Sequence, residues 1–257
     1  MLKIIPVMSG SSGNALMVVS EKAKILIDAG GTTKTIKTVL ARENLGLQDI
    51  THILITHTHR DHVAALPVLL KYTGAKLLLS KNALGELEDC GERAESFEEN
   101  TVCEALDMEF KAFKTPHDSF GSVGFVLSDG KKRFAYCTDL GYVTEEVKNA
   151  VEGCDAVYIE SNHDVEMLKS GPYPYFLKQR ILSPNGHLSN RDCGKFISHL
   201  AQSGTEKFVL AHLSEKNNTP SKALLETEKA LLECGAEGHI DIKVAQKKNT
   251  SGFTLTV

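Results

Sequence analysis

The stretch ILITHTHRDHVAAL, residues 53–66, places three histidines and an aspartate in the six positions 57–62, directly behind an apolar run. Imidazole and carboxylate are costly to leave unpaired beside a core. His57 and His59 lie two apart, so on an extended chain their side chains point the same way. Where the strand ends the chain turns, and Asp61 and His62 can then face the same cavity. Neutral imidazole and carboxylate are ligand types of Zn²⁺, Mn²⁺ and Fe²⁺. Four such groups suffice for parts of two metal sites. A solvated turn is the simpler reading only for isolated histidines such as His52, His199 and His239.

A ligand cluster behind one strand requires further ligands behind others. KTPHDSFGSVGF offers His117 and Asp118, AYCTDLGY offers Asp139, and VLAHLS offers His212. A carboxylate between two cations bridges them and acidifies water. By itself, Asp139 is equally readable as a cap for the helix TEEVK.

The rest of the chain supplies the scaffold. LKIIPVM, ALMVVS, AKILIDA, ITHILIT and KLLLS read as strands punctuated by Gly and Ser. DMEFKAFKT, SVGFVLSD, KRFAYCTD, CDAVYIES, KFVLAHLS and the closing KNTSGFTLTV continue the series. Helices are expected over TKTIKTVLAREN, HVAALPVLLKY, KNALGELED and TEEVKNAVE. LSNRDCGKFISHLAQSG puts Cys193, Phe196, Ile197 and Leu200 on one face, with Ser189 or Asn190 capping it and Gly204 ending it. SKALLETEKALLECG is the last long helix. Strands with helices in each half imply an α/β protein whose sheets are covered by helices. SGSSGN and DAGG lack the spacing of phosphate-cradling loops and read as tight turns.

With 257 residues and no repeat or low-complexity linker, one domain over 1–257 is expected. The net charge of −4 excludes a global attraction to nucleic acid or anionic lipid and leaves room for a local basic groove. The six cysteines are scattered and form no C-x-x-C, which suggests reduced thiols in a cytoplasmic protein. Pro6, Gly10 and Gly13 interrupt the N-terminus, and no stretch is apolar enough for a signal or a membrane span.

The series H-x-H-x-D-H, a His before a GF strand, TD-G and H-S resembles the metallo-β-lactamase superfamily across nearly the whole chain. The resemblance implies a four-layer αββα sandwich with two divalent metal ions at one edge. The first would take His57, His59 and His117, and the second Asp61, His62 and His212, with Asp139 bridging. Asp28, in LIDAG, matches an aspartate that supports the ligand loop. The chain departs from the pattern at TPHDS, where either His117 or Asp118 can complete the first site.

The segment Gly186–Ser214 is similar to the phosphodiesterase branch, which includes transfer-RNA 3′ processing nucleases. In that branch a turn histidine pairs with a glutamate and protonates the leaving oxygen. His187 and Glu160 match those places, and with Asp61 they form the implied catalytic set. Ser189, Asn190 and Arg191 at a helix start, and Asn217, Asn218 and Thr219 after His212, are candidates for holding phosphate. Arg60 and Arg191 are candidates for the DNA backbone. GSSGNA, LIDAG, THTHRDH, TDLGY, ESNHD, GHLSN and LAHLSEKNN together resemble the YycJ/WalJ-like subgroup, associated with 5′→3′ exonuclease activity on DNA. Only 47 residues separate Asp139 from His187, too few for the inserted domain of β-CASP nucleases. The expected activity is therefore a metal-dependent 5′→3′ exodeoxyribonuclease. The alternatives are a hydrolase of small cyclic or nucleotide-like phosphodiesters, a thioester or lactam hydrolase, and a metal-stabilised regulatory module.

Overall fold

A computed structural model describes residues 1–87, 93–236 and 240–257. Cys90, His239 and the end of the helix expected over 81–89 lie outside the described residues.

The chain opens with an antiparallel meander of β1 (Lys3–Met8), β2 (Ala15–Val19) and β3 (Lys24–Ile27). Next come α1 (Thr33–Arg42), β4 (His52–Ile55), α2 (Arg60–Val63), α3 (Leu66–Leu69), β5 (Lys76–Ser80) and β6 (Ala94–Phe97). Strands β3 to β6 run parallel. The second half starts with the antiparallel strands β7 (Val102–Ala105), β8 (Met108–Lys114), β9 (Val123–Ser128) and β10 (Arg133–Cys137). It continues with α4 (Glu145–Val151), β11 (Ala156–Glu160), α5 (Val165–Ser170), α6 (Tyr175–Ile181), α7 (Asn190–Gln202), β12 (Lys207–Ala211), α8 (Pro220–Cys234) and β13 (Asp241–Val244). Finally β14 (Leu255–Thr256) returns to β1. Two seven-stranded sheets result, ordered β14-β1-β2-β3-β4-β5-β6 and β13-β12-β11-β10-β9-β8-β7.

Strand alternation explains the layering. Ile4, Leu16, Val18, Ile25 and Ile27 face inward and meet Phe110, Phe125, Tyr136, Tyr158 and Val209 of the second sheet. Their neighbours Ile5, Val7, Met17 and Leu26 face outward onto Ile36, Leu40, Leu66 and Leu69 of α1 and α3. On the opposite side, Ala135, Val157, Ile159 and Leu210 pack against Val147, Phe196, Ile197, Leu200 and Leu231 of α4, α7 and α8. Three apolar interfaces separate four layers, the expected αββα sandwich.

The differences from the sequence reading are local. HVAALPVLLKY does not form one helix: it breaks into α2 and α3, with Pro67 in the first turn of α3. Pro67 has no N–H for the Val63 carbonyl, and its ring crowds that oxygen. The described part of KNALGELED forms only a short 3₁₀ turn, Leu84–Glu86. The closing strand shrinks to two residues, and β6, β7, β13, α5 and α6 are elements that periodicity did not reveal. Ser189 caps α7 by accepting from the Asp192 N–H. Cys137, Cys154 and Cys193 are buried free thiols. No helix among the described residues is long and apolar enough to cross a membrane.

Candidate metal centre

All of the expected ligands come from loops that follow strands. His57, His59, Asp61 and His62 follow β4, His117 lies between β8 and β9, Asp139 follows β10, and His212 follows β12. Asp28, Asp139 and His212 have positive φ angles of 58°, 59° and 53°. Left-handed backbone at residues other than glycine costs about 1–3 kcal/mol each and persists only where surrounding contacts enforce it. These contacts turn the side chains into one cavity. Asp139 does not cap α4; Thr144 does, by accepting from the Val147 N–H.

Four groups of ligand atoms, each within 4.8 Å of one another, are His57–His59–His117, Asp61–His62–His212, His57–His62–Asp139 and Asp139–Glu160–His187–His212. The first two have the membership of the expected pair of sites. Asp139 lies between them, with Oδ2 3.3 Å from His62 Nε2 and Oδ1 3.7 Å from His117 Nε2. The structure brings His117 into the first group. Asp118 is instead held in a fork by Arg180, Oδ2 on Nε at 2.5 Å and Oδ1 on Nη2 at 3.0 Å.

Four of the five candidate imidazoles are fixed through Nδ1, and His59 Nδ1 instead faces His117 Nε2 at 3.2 Å. His57 Nδ1 lies 3.0 Å from Thr56 Oγ1, His62 Nδ1 2.8 Å from Asp28 Oδ2, and His117 Nδ1 3.1 Å from the Gly186 carbonyl. His212 Nδ1 lies 2.8 Å from Glu160 Oε1. Such outer partners set tautomer and ring orientation. His57 Nε2, His212 Nε2 and Asp139 Oδ2 are buried and have no hydrogen-bond partner. Three unpartnered donor-set atoms converging on one cavity would be strongly unfavourable in an empty core. Divalent cations, one in the group of His57 and one in that of His212 with Asp139 between, would satisfy all three, so the residues fit a metal centre.

Glu160 is fully buried and carries more than the sequence implied. Its Oε2 accepts from the Leu140 and Leu188 N–H groups, both at 2.9 Å. Its Oε1 is shared by His187 Nδ1 at 2.9 Å and His212 Nδ1 at 2.8 Å. Burial opposes ionisation, but His187 and His212 hold this carboxyl below its ordinary range. One carboxylate thus orients both the turn histidine and a candidate ligand.

Burial, reinforced by the neighbouring His62, His117 and His59, keeps His57 well below the ordinary histidine range. Burial also lowers His117. Both imidazoles are therefore in the neutral, ligating form at pH 7. His212 is opposite: against its burial, Asp139, Asp61 and Glu160 raise it well above the ordinary range. Asp28 and Asp139 likewise push His62 up to about 10 against its burial. Asn14 Oδ1 accepts from the Gly10 N–H, which turns its Nδ2 toward Asp61 Oδ2 at 3.1 Å and His62 Nε2 at 2.9 Å. Cation uptake must expel the protons that these carboxylates retain. Metal affinity should accordingly rise with pH, with protons released on binding. Titration calorimetry in buffers of different ionisation enthalpy measures both, and a pH-independent affinity without proton release contradicts the assignment.

The cavity of about 230 Å³ is lined by Ser11, His59, Asp61, His117, Asp139, Asn162, Tyr173, Leu177, Arg180, Ile181, His187, His212 and Ser214. The other five predicted substrate-binding residues, Ser189, Asn190, Arg191, Asn217 and Asn218, are not among them. Asn190 is buried, with its side chain on Ser161 and Asn218, and Asn218 is buried with its amide on the Ser161 and Asn162 carbonyls. Asn217 is buried against Ser214, Ser189 is spent on its cap, and Arg191 is exposed on α7. Apart from the exposed Arg191 and the unpartnered Asn217 Oδ1, their hydrogen-bonding capacity goes into caps and contacts that join the loops. Sequence reasoning missed Asn14, Ser9 and Arg180. Asn14 also holds Asp61 at 3.1 Å, and Ser9 Oγ accepts from the His212 N–H at 2.8 Å. The signal was SGSSGN itself. At Gly30 an added Cβ would lie 1.9 Å from the Asp61 carbonyl, so this turn must pass close to the ligand loop.

Residues 23–213 match the beta-lactamase superfamily domain. The chain belongs to this superfamily, with the metallo-β-lactamase fold and a histidine–aspartate site suited to divalent metal ions. It is 34% identical over 255 residues to the exodeoxyribonuclease WalJ of Streptococcus pneumoniae, covering 96% of this chain and 95% of that protein. It is 32% identical over 232 residues to the exodeoxyribonuclease YycJ of Bacillus anthracis, covering 88% of each. The metallo-β-lactamase fold protein YhfI of Bacillus subtilis superposes with a TM-score of 0.73 over 100% of both chains; at 14% identity this concerns the fold alone.

Proposed function

We propose that the chain is a metal-dependent exodeoxyribonuclease that degrades DNA in the 5′→3′ direction. The observation that carries this reading is the buried Glu160–His187 pair beside the histidine–aspartate groups, in a cavity shared with Arg180. A thioester hydrolase has no evident use for such a pair. The names of the WalJ and YycJ relatives support the same substrate.

In this reading His57, His59 and His117 would hold one ion and Asp61, His62 and His212 a second, with Asp139 available to both. Zn²⁺, Mn²⁺ and Fe²⁺ all suit this ligand set. Such ions would supply Lewis-acid polarisation of the phosphate and acidification of water. Ser11 and Arg180 position the phosphate from the cavity wall, and Arg60 contacts the flanking backbone. Glu160 fixes the His187 ring through Nδ1 and leaves Nε2 for the reaction. His187 donates its proton to the leaving 3′-oxygen as the bond to phosphorus breaks. Ligands from both halves of the chain make residues 1–257 one functional unit, and the substrate and the scattered cysteines suit the cytoplasm.

The test digests 5′-labelled and 3′-labelled DNA with protein purified without chelators, joined to metal analysis. Early release of labelled mononucleotide from the 5′ label, with the 3′ label remaining on progressively shorter strands, is expected. Release from the 3′ label first, or hydrolysis of thioesters alone, overturns the proposal.

A further inference from the structure

Of the sixteen Phe and Tyr, nine are buried, two are half-buried and five are exposed: Tyr72, Phe120, Tyr142, Tyr175 and Phe176. Four of these five lie within three positions of a cavity residue: Phe120 after His117, Tyr142 after Asp139, and Tyr175 and Phe176 beside Leu177. Tyr175 and Phe176 are 77% and 73% exposed on consecutive positions of α6. The same short helix lines the cavity with Leu177, Arg180 and Ile181. Phe176 and Arg180 are four apart and hence neighbours on the helix surface. Leaving two large rings in water beside an active cavity is unfavourable unless something covers them.

Charge indicates what covers them. Acidic residues outnumber basic ones, 33 to 29, yet residues 167–191 contain no Asp or Glu and carry Lys169, Lys178, Arg180 and Arg191. Lys178 Nζ rests on the Lys169 carbonyl at 2.7 Å and pairs with no carboxylate among the described residues. Pro172 and Pro174 precede the rings and restrict the backbone that presents them. Exposed aromatic faces interleaved with cations, at the rim of a phosphodiester-cleaving cavity, suit a strand whose bases are unpaired.

We infer that residues 171–182 are a stacking platform for single-stranded DNA, with Tyr175 and Phe176 holding bases next to the scissile phosphate. This inference rests on the nuclease reading above. Because every base has a π-face, the platform accepts any sequence and favours unpaired ends over duplex.

The test measures affinity of the metal-loaded protein for a labelled phosphorothioate oligothymidylate, which resists cleavage, and for an abasic strand of equal length. The wild type should prefer the base-bearing strand. Stacking contributes about 1–3 kcal/mol per base, so Tyr175→Ala/Phe176→Ala should weaken oligothymidylate binding by roughly 5- to 100-fold or more. Abasic affinity should change little, and Tyr175→Phe/Phe176→Trp should retain the preference. Both side chains are solvent-exposed, so an unchanged melting temperature is expected and verifies the fold. Equal affinity of the alanine variant and wild type, equal losses on both strands, or no oligothymidylate binding by the wild type overturns the platform. If the wild type binds oligothymidylate through these rings but releases no nucleotide from ordinary DNA, the nuclease reading fails and the platform stands.

Discussion

Replacing His187 by Ala should slow DNA hydrolysis by about 10²–10⁴-fold, the usual range for a positioned general acid, while leaving metal content unchanged. His187 belongs to neither His57–His59–His117 nor Asp61–His62–His212, the two groups proposed to hold the ions; it falls in a further group with Asp139, Glu160 and His212, where its Nδ1 is taken by Glu160. Its removal leaves Glu160 with His212 and with the Leu140 and Leu188 N–H groups, so the candidate ligand His212 stays oriented. The informative measurement compares DNA with a nitrophenyl phosphodiester at fixed metal loading. A nitrophenolate leaves with little help from an acid, so its loss should be much smaller. Equal losses on the two substrates would reject proton donation and leave phosphate binding as the role of His187.

Asp139→Asn should abolish most activity and reduce the metal content below that of the wild type. Asparagine tolerates the left-handed backbone that position 139 adopts, φ 59°, so the fold should survive. The variant removes the charge facing His62 at 3.3 Å, His117 at 3.7 Å and His212 at 3.2 Å. Outer partners of metal ligands typically account for 10–100-fold in affinity or activity. A carboxylate between two ions is closer in, and a loss of about 100-fold or more is expected. Asp139→Ala adds backbone strain of about 1 kcal/mol or more and should also lower thermal stability. A variant that keeps two ions per chain and full turnover would dismiss the bridging role.

The candidate ligand cluster was readable in the sequence because it is local. His57, His59, Asp61 and His62 lie within six positions behind one strand, a spacing that points to a metal. The strands were legible because inward and outward faces are both apolar, leaving runs such as KILI and HILI that need helices on one side and a second sheet on the other. The dependence on metal, the α/β layering and the strand-end origin of each ligand all follow from those patterns.

Tertiary structure decided whatever depends on which groups meet. Which of His117 and Asp118 turns toward His59 is invisible in TPHDS. In the fold Arg180, 62 positions away, holds the Asp118 carboxylate, and the His117 ring faces His59. Asn190, Asn217 and Asn218 look like phosphate-holding amides in a list of polar residues. Packed together, Asn190 and Asn218 serve one another and the loop carbonyls, and Asn217 turns its amide to Ser214. Glu160 clamping two histidines, and Asn14 reaching Asp61 across 47 positions, are likewise contacts between segments distant in sequence that adjoin only after the strands of each sheet have paired. Sequence specifies chemistry wherever a motif is contiguous; the partner of a buried polar group is set by the fold, since the cost of leaving it unpaired is imposed by burial that the fold alone creates.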